Sequence, residues 1–81
     1  MTDAVLLAML KSNLEIIPAN TMQDTYLAQL IGAAKQMITR EGVTLTDTLE
    51  DGNLVVMYAA YQWRVNRHEA TNDMYRALRR A

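Results

Sequence analysis

Apolar residues recur along the chain at intervals of three and four, the spacing of amphipathic helices. The first helix is predicted over about residues 2–14, where one face carries Leu6, Met9, Leu10 and Leu14. The second is predicted over about residues 21–41, with an apolar stripe of Leu27, Leu30, Ile31, Ala34 and Ile38. Pro18 separates the two helices because it has no backbone N–H and disfavours a helical residue before it.

A third helix is predicted over about residues 50–67 and a short fourth over about residues 72–80. Gly42 suits the left-handed position that ends the second helix. The third helix repeats the apolar spacing with Leu54, Met57, Tyr58, Tyr61 and Val65, which we expect to face the core. Its other faces are also apolar, since they carry Val55, Val56, Ala59 and Ala60.

These segments predict a single all-α domain over residues 1–81, a small bundle of three to four helices with a central apolar third helix. A helix that is apolar on all sides must be covered on more than one of them. A domain of 81 residues buries a modest share of its surface, so its core supplies only a few kcal/mol of net stability. The third helix is therefore either enclosed by the other helices or covered in part by another subunit.

Composition predicts a soluble protein, and charge is distributed unevenly between the two parts of the chain. The chain has no cysteine, and its start, Met1-Thr2-Asp3, does not resemble a signal peptide. Its longest apolar run, residues 54–61, is far shorter than the roughly 20 residues of a membrane span. We therefore expect a soluble protein without a membrane partner. Residues 1–63 have a net charge of −4 and residues 64–81 one of +3, which suits packing between like subunits or contact with an acidic partner.

The sequence contains few candidates for catalytic or metal-binding residues. His68 is the only histidine and has no cysteine, histidine or carboxylate cluster near it in the sequence. We expect the acidic residues Asp47, Glu50 and Asp51 to cap the third helix. Three isolated glycines do not form a phosphate-binding loop. The sequence therefore predicts no enzyme activity, no catalytic or metal site, no cofactor and no small-molecule substrate.

Two groups of residues are candidates for contact with a partner. Trp63, Arg64 and Arg67 combine the residue types that dominate interface hot spots, and Val55 and Val56 add apolar surface on the same helix. Three arginines form a basic stripe in the fourth helix at i, i+3 and i+4, namely Arg76, Arg79 and Arg80. This stripe suits stabilisation of a helix C-terminus, contact with a subunit or portal-type protein, or contact with a DNA backbone in a channel.

A helix-turn-helix around Gly42 is a further alternative. The segment that would approach the DNA groove, residues 45–51, carries Asp47, Glu50 and Asp51. Carboxylates there oppose the phosphate charge that dominates affinity for DNA. Sequence-specific DNA binding is therefore the less favoured reading.

Three stretches give the chain a family likeness: LKSNLEI at residues 10–16, DTYLAQLIGAA at 24–34 and YAAYQWRVNR at 58–67. Their order resembles the small head–tail connector (adaptor) proteins of long-tailed bacteriophages, also called DNA-packaging proteins. The resemblance covers about residues 3–68. No motif past His68 matches, so it implies no role for the arginines of the fourth helix.

The resemblance implies a structural subunit of a phage or prophage head–tail junction. Such subunits form a homo-oligomeric ring at the portal vertex, continue the DNA channel and connect to the tail. The expected partners are the portal protein and a tail-side connector protein, with non-specific passage of DNA. The expected location is the virion, after the host cytoplasm. The alternative is a small helical protein-interaction module of the adaptor or antitoxin type.

Overall fold

The computed structural model describes the backbone of residues 2–80 and the side chains of residues 2–68. The chain forms three helices: α1 (Asp3–Asn13), α2 (Asp24–Arg40) and α3 (Leu49–Arg80). Residues 2–80 contain no β-strand. Within these residues the prediction of an all-α fold with three to four helices is confirmed, and the number is three.

Local sequence explains how α1 begins and ends. The Thr2 hydroxyl accepts a hydrogen bond from the Val5 N–H at 3.3 Å, as an N-cap residue does. At the other end Glu15 has φ of 60°, and the Ile16 N–H donates to the carbonyl of Lys11 at 2.8 Å. These are the features of a Schellman motif, which satisfies the last carbonyls of the helix and turns the chain.

The end of α2 uses the same motif with a glycine. Gly42 has φ of 91°, and the Val43 N–H donates to the carbonyl of Ile38 at 3.4 Å. Glycine adopts this left-handed conformation at no steric cost, because it has no Cβ. The prediction that Gly42 ends the second helix is confirmed.

Side-chain contacts fix the directions of the helices. Lys35 of α2 meets Asp3 of α1 at one end, with Nζ and Oδ1 2.7 Å apart. At the other end Lys11 meets Asp24 at 2.9 Å, so α1 and α2 are antiparallel. The Asn66 amide donates to the Tyr26 hydroxyl at 2.7 Å, which brings the start of α2 beside the second half of α3. The three helices therefore form an up–down–up bundle in which α1 and α3 run in the same direction.

All three helices contribute to one core. Leu10 and Leu27 are wholly buried, and Ile38 is 1% exposed. The α3 residues that are fully buried in the core are small or β-branched, namely Val55, Val56, Ala59 and Ala60. Leu54, Tyr58 and Trp63 are partly buried against them. Such small side chains let α1 and α2 approach the α3 backbone closely, so this face of α3 is the one that the bundle buries.

The predicted core stripe of α3 is only partly buried: Leu54 and Tyr58 pack against the core, whereas Met57 and Tyr61 do not. Met57 is 64% exposed and Tyr61 66%, while Leu54, Tyr58 and Val65 are half-buried. The assignment of Met57 and Tyr61 to the core was wrong, because a helix that is apolar on every side has no periodicity that selects one face. The expectation of a central α3, enclosed by the other helices, is not confirmed.

The break predicted after residue 67 is absent, and α3 continues as one helix of 32 residues. The prediction of a separate fourth helix over residues 72–80 was therefore wrong. Thr71 and Asn72 are plausible caps, but no glycine or proline follows Gly52 to interrupt the helix. At about 1.5 Å per residue α3 is ~48 Å long. It continues beyond the level of Arg64 and Asn66, where α1 ends and α2 begins.

Candidate functional site

Two large apolar side chains of α3, Met57 and Tyr61, are about two-thirds exposed. With the half-buried Leu54, Tyr58 and Val65 they form the surface that we call the outer stripe. Tyr58 and Tyr61 also line a groove between α2 and α3, together with Leu30, Ala33, Ala34, Met37 and Gln62. Met37 is 46% exposed and extends the apolar surface onto α2. The described side chains leave this surface uncovered within the subunit, and large clustered apolar side chains of this kind mark interaction sites.

A second apolar surface is formed by α1 and the loop that follows it. We call it the α1 groove: it has a volume of about 520 Å³ and is lined by Ala4, Leu7, Ala8, Lys11, Ser12, Glu15, Ile16, Ile17 and Pro18. Ile17 is 67% exposed. A smaller groove shares Ala4 and Leu7 and extends the surface to Ala28, Gly32 and Lys35. Sequence reasoning missed this surface, although the i, i+3, i+4 spacing of Ala4, Leu7 and Ala8 signals it.

Trp63 joins α3 to the start of α2. Its ring is half-buried against the core, and its Nε1 donates to the Gln23 side-chain oxygen at 3.3 Å. The guanidinium carbon of Arg67 lies 4.3 Å from the centre of the ring, within cation–π range. The structure therefore gives Trp63 contacts inside the subunit and leaves the outer edge of the Trp63–Arg67 pair at the surface.

Arg64 links the same part of α3 to α1. Its guanidinium donates to the Asn13 side-chain oxygen at 3.1 Å. On the α2 side, Asn66 holds the Tyr26 hydroxyl and accepts a hydrogen bond from the Gln62 amide at 2.8 Å. Residues 62–67 therefore bind both other helices and set the direction in which the rest of α3 leaves the bundle. Arg64 and Arg67 are exposed.

Val55 and Val56 are not interface residues. They are 3% and 4% exposed and belong to the core cluster, so a second protein reaches neither of them without unfolding the bundle. Their assignment to a subunit or portal interface was wrong. The physical reason is the reversal of the two α3 faces: α1 and α2 cover the small residues and leave the large ones outside.

Lys11 is buried, which its sequence position did not indicate. Its side chain is 6% exposed, and its ammonium donates to the carbonyls of Pro18 at 3.0 Å and Asn20 at 2.7 Å. It also pairs with Asp24, whose Oδ1 accepts no well-aligned hydrogen bond although Nζ lies 2.9 Å away. A single cation thus holds the α1–α2 loop against the first turn of α2.

The Thr48 hydroxyl caps the start of α3, and Asp51, in the first turn of the helix, holds the loop that precedes it. The Asp51 carboxylate accepts hydrogen bonds from the Thr46 N–H at 2.6 Å and hydroxyl at 2.7 Å, which hold the pKa of Asp51 below its ordinary value. The Asp51 N–H in turn donates to the Thr48 hydroxyl at 3.2 Å. At α1, the hydrogen bond and charge of Lys35 lower the pKa of Asp3.

The remaining residues singled out in the sequence do not belong to either apolar surface. His68 is exposed on α3, and the described side chains contain no group of three that is suited to hold a metal ion. The basic stripe of Arg76, Arg79 and Arg80 lies outside the residues whose side chains are described. Within the described part of the chain, no helix combines the length and apolar content needed to cross a bilayer. Comparison of the chain with models of protein families, with curated proteins and with solved structures finds no match.

Proposed function

We propose that the chain is a structural subunit of a phage or prophage head–tail junction and has no enzyme activity. It assembles into a ring at the portal vertex, continues the DNA channel and connects to the tail. The observation that carries this proposal is the outer stripe of α3, in which Met57 and Tyr61 are about two-thirds exposed.

Energetics favour a partner on this stripe. Burying one large apolar side chain stabilises by about 1.5–3 kcal/mol relative to leaving it in water. Met57 and Tyr61 are each about two-thirds exposed, so most of that contribution is still unrealised in the isolated subunit. A small domain with a modest core gains most from association that covers such residues.

The shape of α3 supports an assembly role. The helix continues for fourteen residues past Asn66, a length of ~21 Å. Four of the five arginines in residues 64–81 fall in this continuation. A long basic helix beside an acidic three-helix body gives each subunit two unlike surfaces, which is the requirement for a closed ring.

The connectors weaken the helix-turn-helix alternative. That motif joins its helices by three or four residues, whereas α2 and α3 are separated by residues 41–48 and α1 and α2 by residues 14–23. The small interaction module outside a virion uses the same outer stripe and differs only in its partner, so an experiment with the partner separates the two.

The test is assembly with the portal and tail-connector proteins encoded beside the chain's gene. Size-exclusion chromatography with light scattering and electron microscopy should show a ring bound to the portal end. Met57→Glu should weaken binding at least about tenfold, since hot-spot residues contribute roughly 2 kcal/mol or more. Gln36→Glu, an exposed change on α2 outside both apolar surfaces, should have no effect. A gene neighbourhood without portal, capsid and tail genes, or failure to bind the portal, refutes the proposal.

A further inference from the structure

We propose that the outer stripe of one copy packs into the α1 groove of a second copy, with α3 of the first parallel to α1 of the second. This inference rests on the proposed function for its biological setting, and its physical basis is the match between two surfaces of the same chain. The two surfaces share no residue, so each subunit can use both at once.

The shapes of the two surfaces are complementary. The stripe presents the large side chains Met57 and Tyr61, which stand about two-thirds exposed. The groove is floored by alanines and extends over Gly32, where a Cβ would meet nothing within 4 Å. Its volume of about 520 Å³ lies within the roughly 300–1,000 Å³ of clefts that enclose ligands. Large side chains on one copy therefore find an apolar recess of suitable size on the next.

The charges at one end of the two surfaces also match, where Arg64 of the stripe meets Glu15 of the receiving surface. On α3, Glu50, Met57, Tyr61 and Arg64 share one exposed face at i, i+7, i+11 and i+14. That face is acidic at its start and basic at its end. The receiving surface begins at the Lys35–Asp3 ion pair, in which the two charges offset each other, and ends at the exposed carboxylate of Glu15.

The distances between these charges agree. Glu50 and Arg64 are fourteen residues apart on α3, or ~21 Å. Asp3, which holds Lys35, lies ten residues or ~15 Å from Asn13 at the end of α1, and Glu15 lies in the turn just beyond it. With the two helices parallel, Glu50 lies at the Lys35–Asp3 ion pair while Arg64 approaches Glu15. The antiparallel arrangement instead places Glu50 beside Glu15.

The parallel arrangement is also the one that a ring permits. Within each subunit α1 and α3 already run in the same direction, and rotation about a ring axis preserves direction along that axis. Two unlike surfaces that meet from copy to copy form a heterologous contact, which closes into a ring or continues as a filament. A two-fold dimer would instead pair stripe with stripe, or form both stripe–groove contacts at once between the same two copies.

Engineered cysteines test this contact directly, because the chain has none of its own. In the parallel register Met57 lies opposite Ala8, and both are exposed. A mixture of Met57→Cys and Ala8→Cys chains, treated with a short bis-maleimide, should give a cross-linked dimer. Either variant alone should give little, and a mixture of Gln36→Cys with Ala8→Cys serves as the matched control. Circular dichroism checks that each variant keeps the helicity of the parent chain.

Two outcomes overturn the inference. One is a Met57–Ala8 cross-link no stronger than the Gln36 control at the highest concentration at which the chain stays dispersed. The other is an equally strong product from Met57→Cys alone, which indicates a two-fold contact. Charge reversal provides a second measurement: Glu15→Lys and Arg64→Glu should each lower the cross-linked yield about threefold, and the two changes combined in one chain should restore it.

The result is separable from the test of the proposed function. A ring on the portal without the Met57–Ala8 cross-link leaves the proposed function standing and removes this contact. A specific cross-link from a chain that does not bind the portal keeps the contact and removes the phage assignment.

Discussion

Replacing Lys11 with methionine tests whether one buried cation organises the α1–α2 connection. Methionine keeps most of the length and packing of the lysine stem and removes the charge. The change leaves the carbonyls of Pro18 and Asn20 without their donor and Asp24 without its ion-pair partner. Removing one member of a buried pair is destabilising because the other charge remains uncompensated.

The expected loss follows from the exposure of the groups left behind. Hydrogen bonds to a charged donor contribute about 1.5–3 kcal/mol each, but the loop carbonyls and Asp24, whose side chain is 30% exposed, regain contact with water. We therefore expect the free energy of unfolding to fall by about 2–3 kcal/mol. For a domain of this size that lowers Tm by roughly 10–20 °C.

Urea denaturation at neutral pH, followed by circular dichroism, measures this loss. Lys35→Met is the matched control, because it also removes a lysine from a lysine–aspartate pair at 2.7 Å. The Lys35–Asp3 pair is largely exposed, so solvent screening should leave a much smaller effect. If Lys11→Met destabilises no more than Lys35→Met, Lys11 does not hold the loop. The double variant Lys11→Met, Asp24→Asn should recover part of the loss, because no charge is then left unpaired.

Three further changes test individual contacts. Trp63→Ala should lower the free energy of unfolding by about 2 kcal/mol, because the ring packs on the core but is less buried than a fully enclosed tryptophan. Trp63→Phe should lower it by less, and urea titration of both variants measures the difference. Glu15→Gly should raise stability by up to about 1 kcal/mol, because glycine relieves the left-handed backbone, whereas Gly42→Ala should lower it by a similar amount. Because the pKa of Asp51 is lowered in the folded state, its contribution to the free energy of unfolding is present above about pH 4 and is lost as the pH falls through the folded-state pKa. The difference in stability between the parent chain and Asp51→Asn should therefore narrow in acid.

Each of these changes has a result that contradicts its reasoning. A Trp63→Ala chain that unfolds at the parent's urea midpoint places the ring outside the structural core. A Glu15→Gly chain less stable than the parent excludes strain at that residue. A gap for Asp51→Asn that stays constant from neutral pH to pH 3 shows that the Thr46 hydrogen bonds do not favour the ionised carboxylate.

The sequence determined α1, α2 and the start of α3. The stripe of α2 predicted its buried residues, because the opposite face of that helix is polar and only one orientation buries apolar surface. Gly42 marked the end of α2, since its left-handed backbone is strained for other residues. At the end of α1, Glu15 adopts the same left-handed backbone although it is not a glycine. The nearby Pro18 was the only local signal in the sequence that the chain turns there.

Tertiary structure decided what periodicity leaves open. On α3, where every face is apolar, the close approach of α1 and α2 selected the small side chains for the core and left Met57 and Tyr61 outside. The burial of Lys11 depends on where the carbonyls of Pro18 and Asn20 come to lie, which no local pattern encodes. The α1 groove likewise exists only once the loop folds beside α1. Local propensity specifies helices, whereas the choice of buried face depends on which neighbour packs closest.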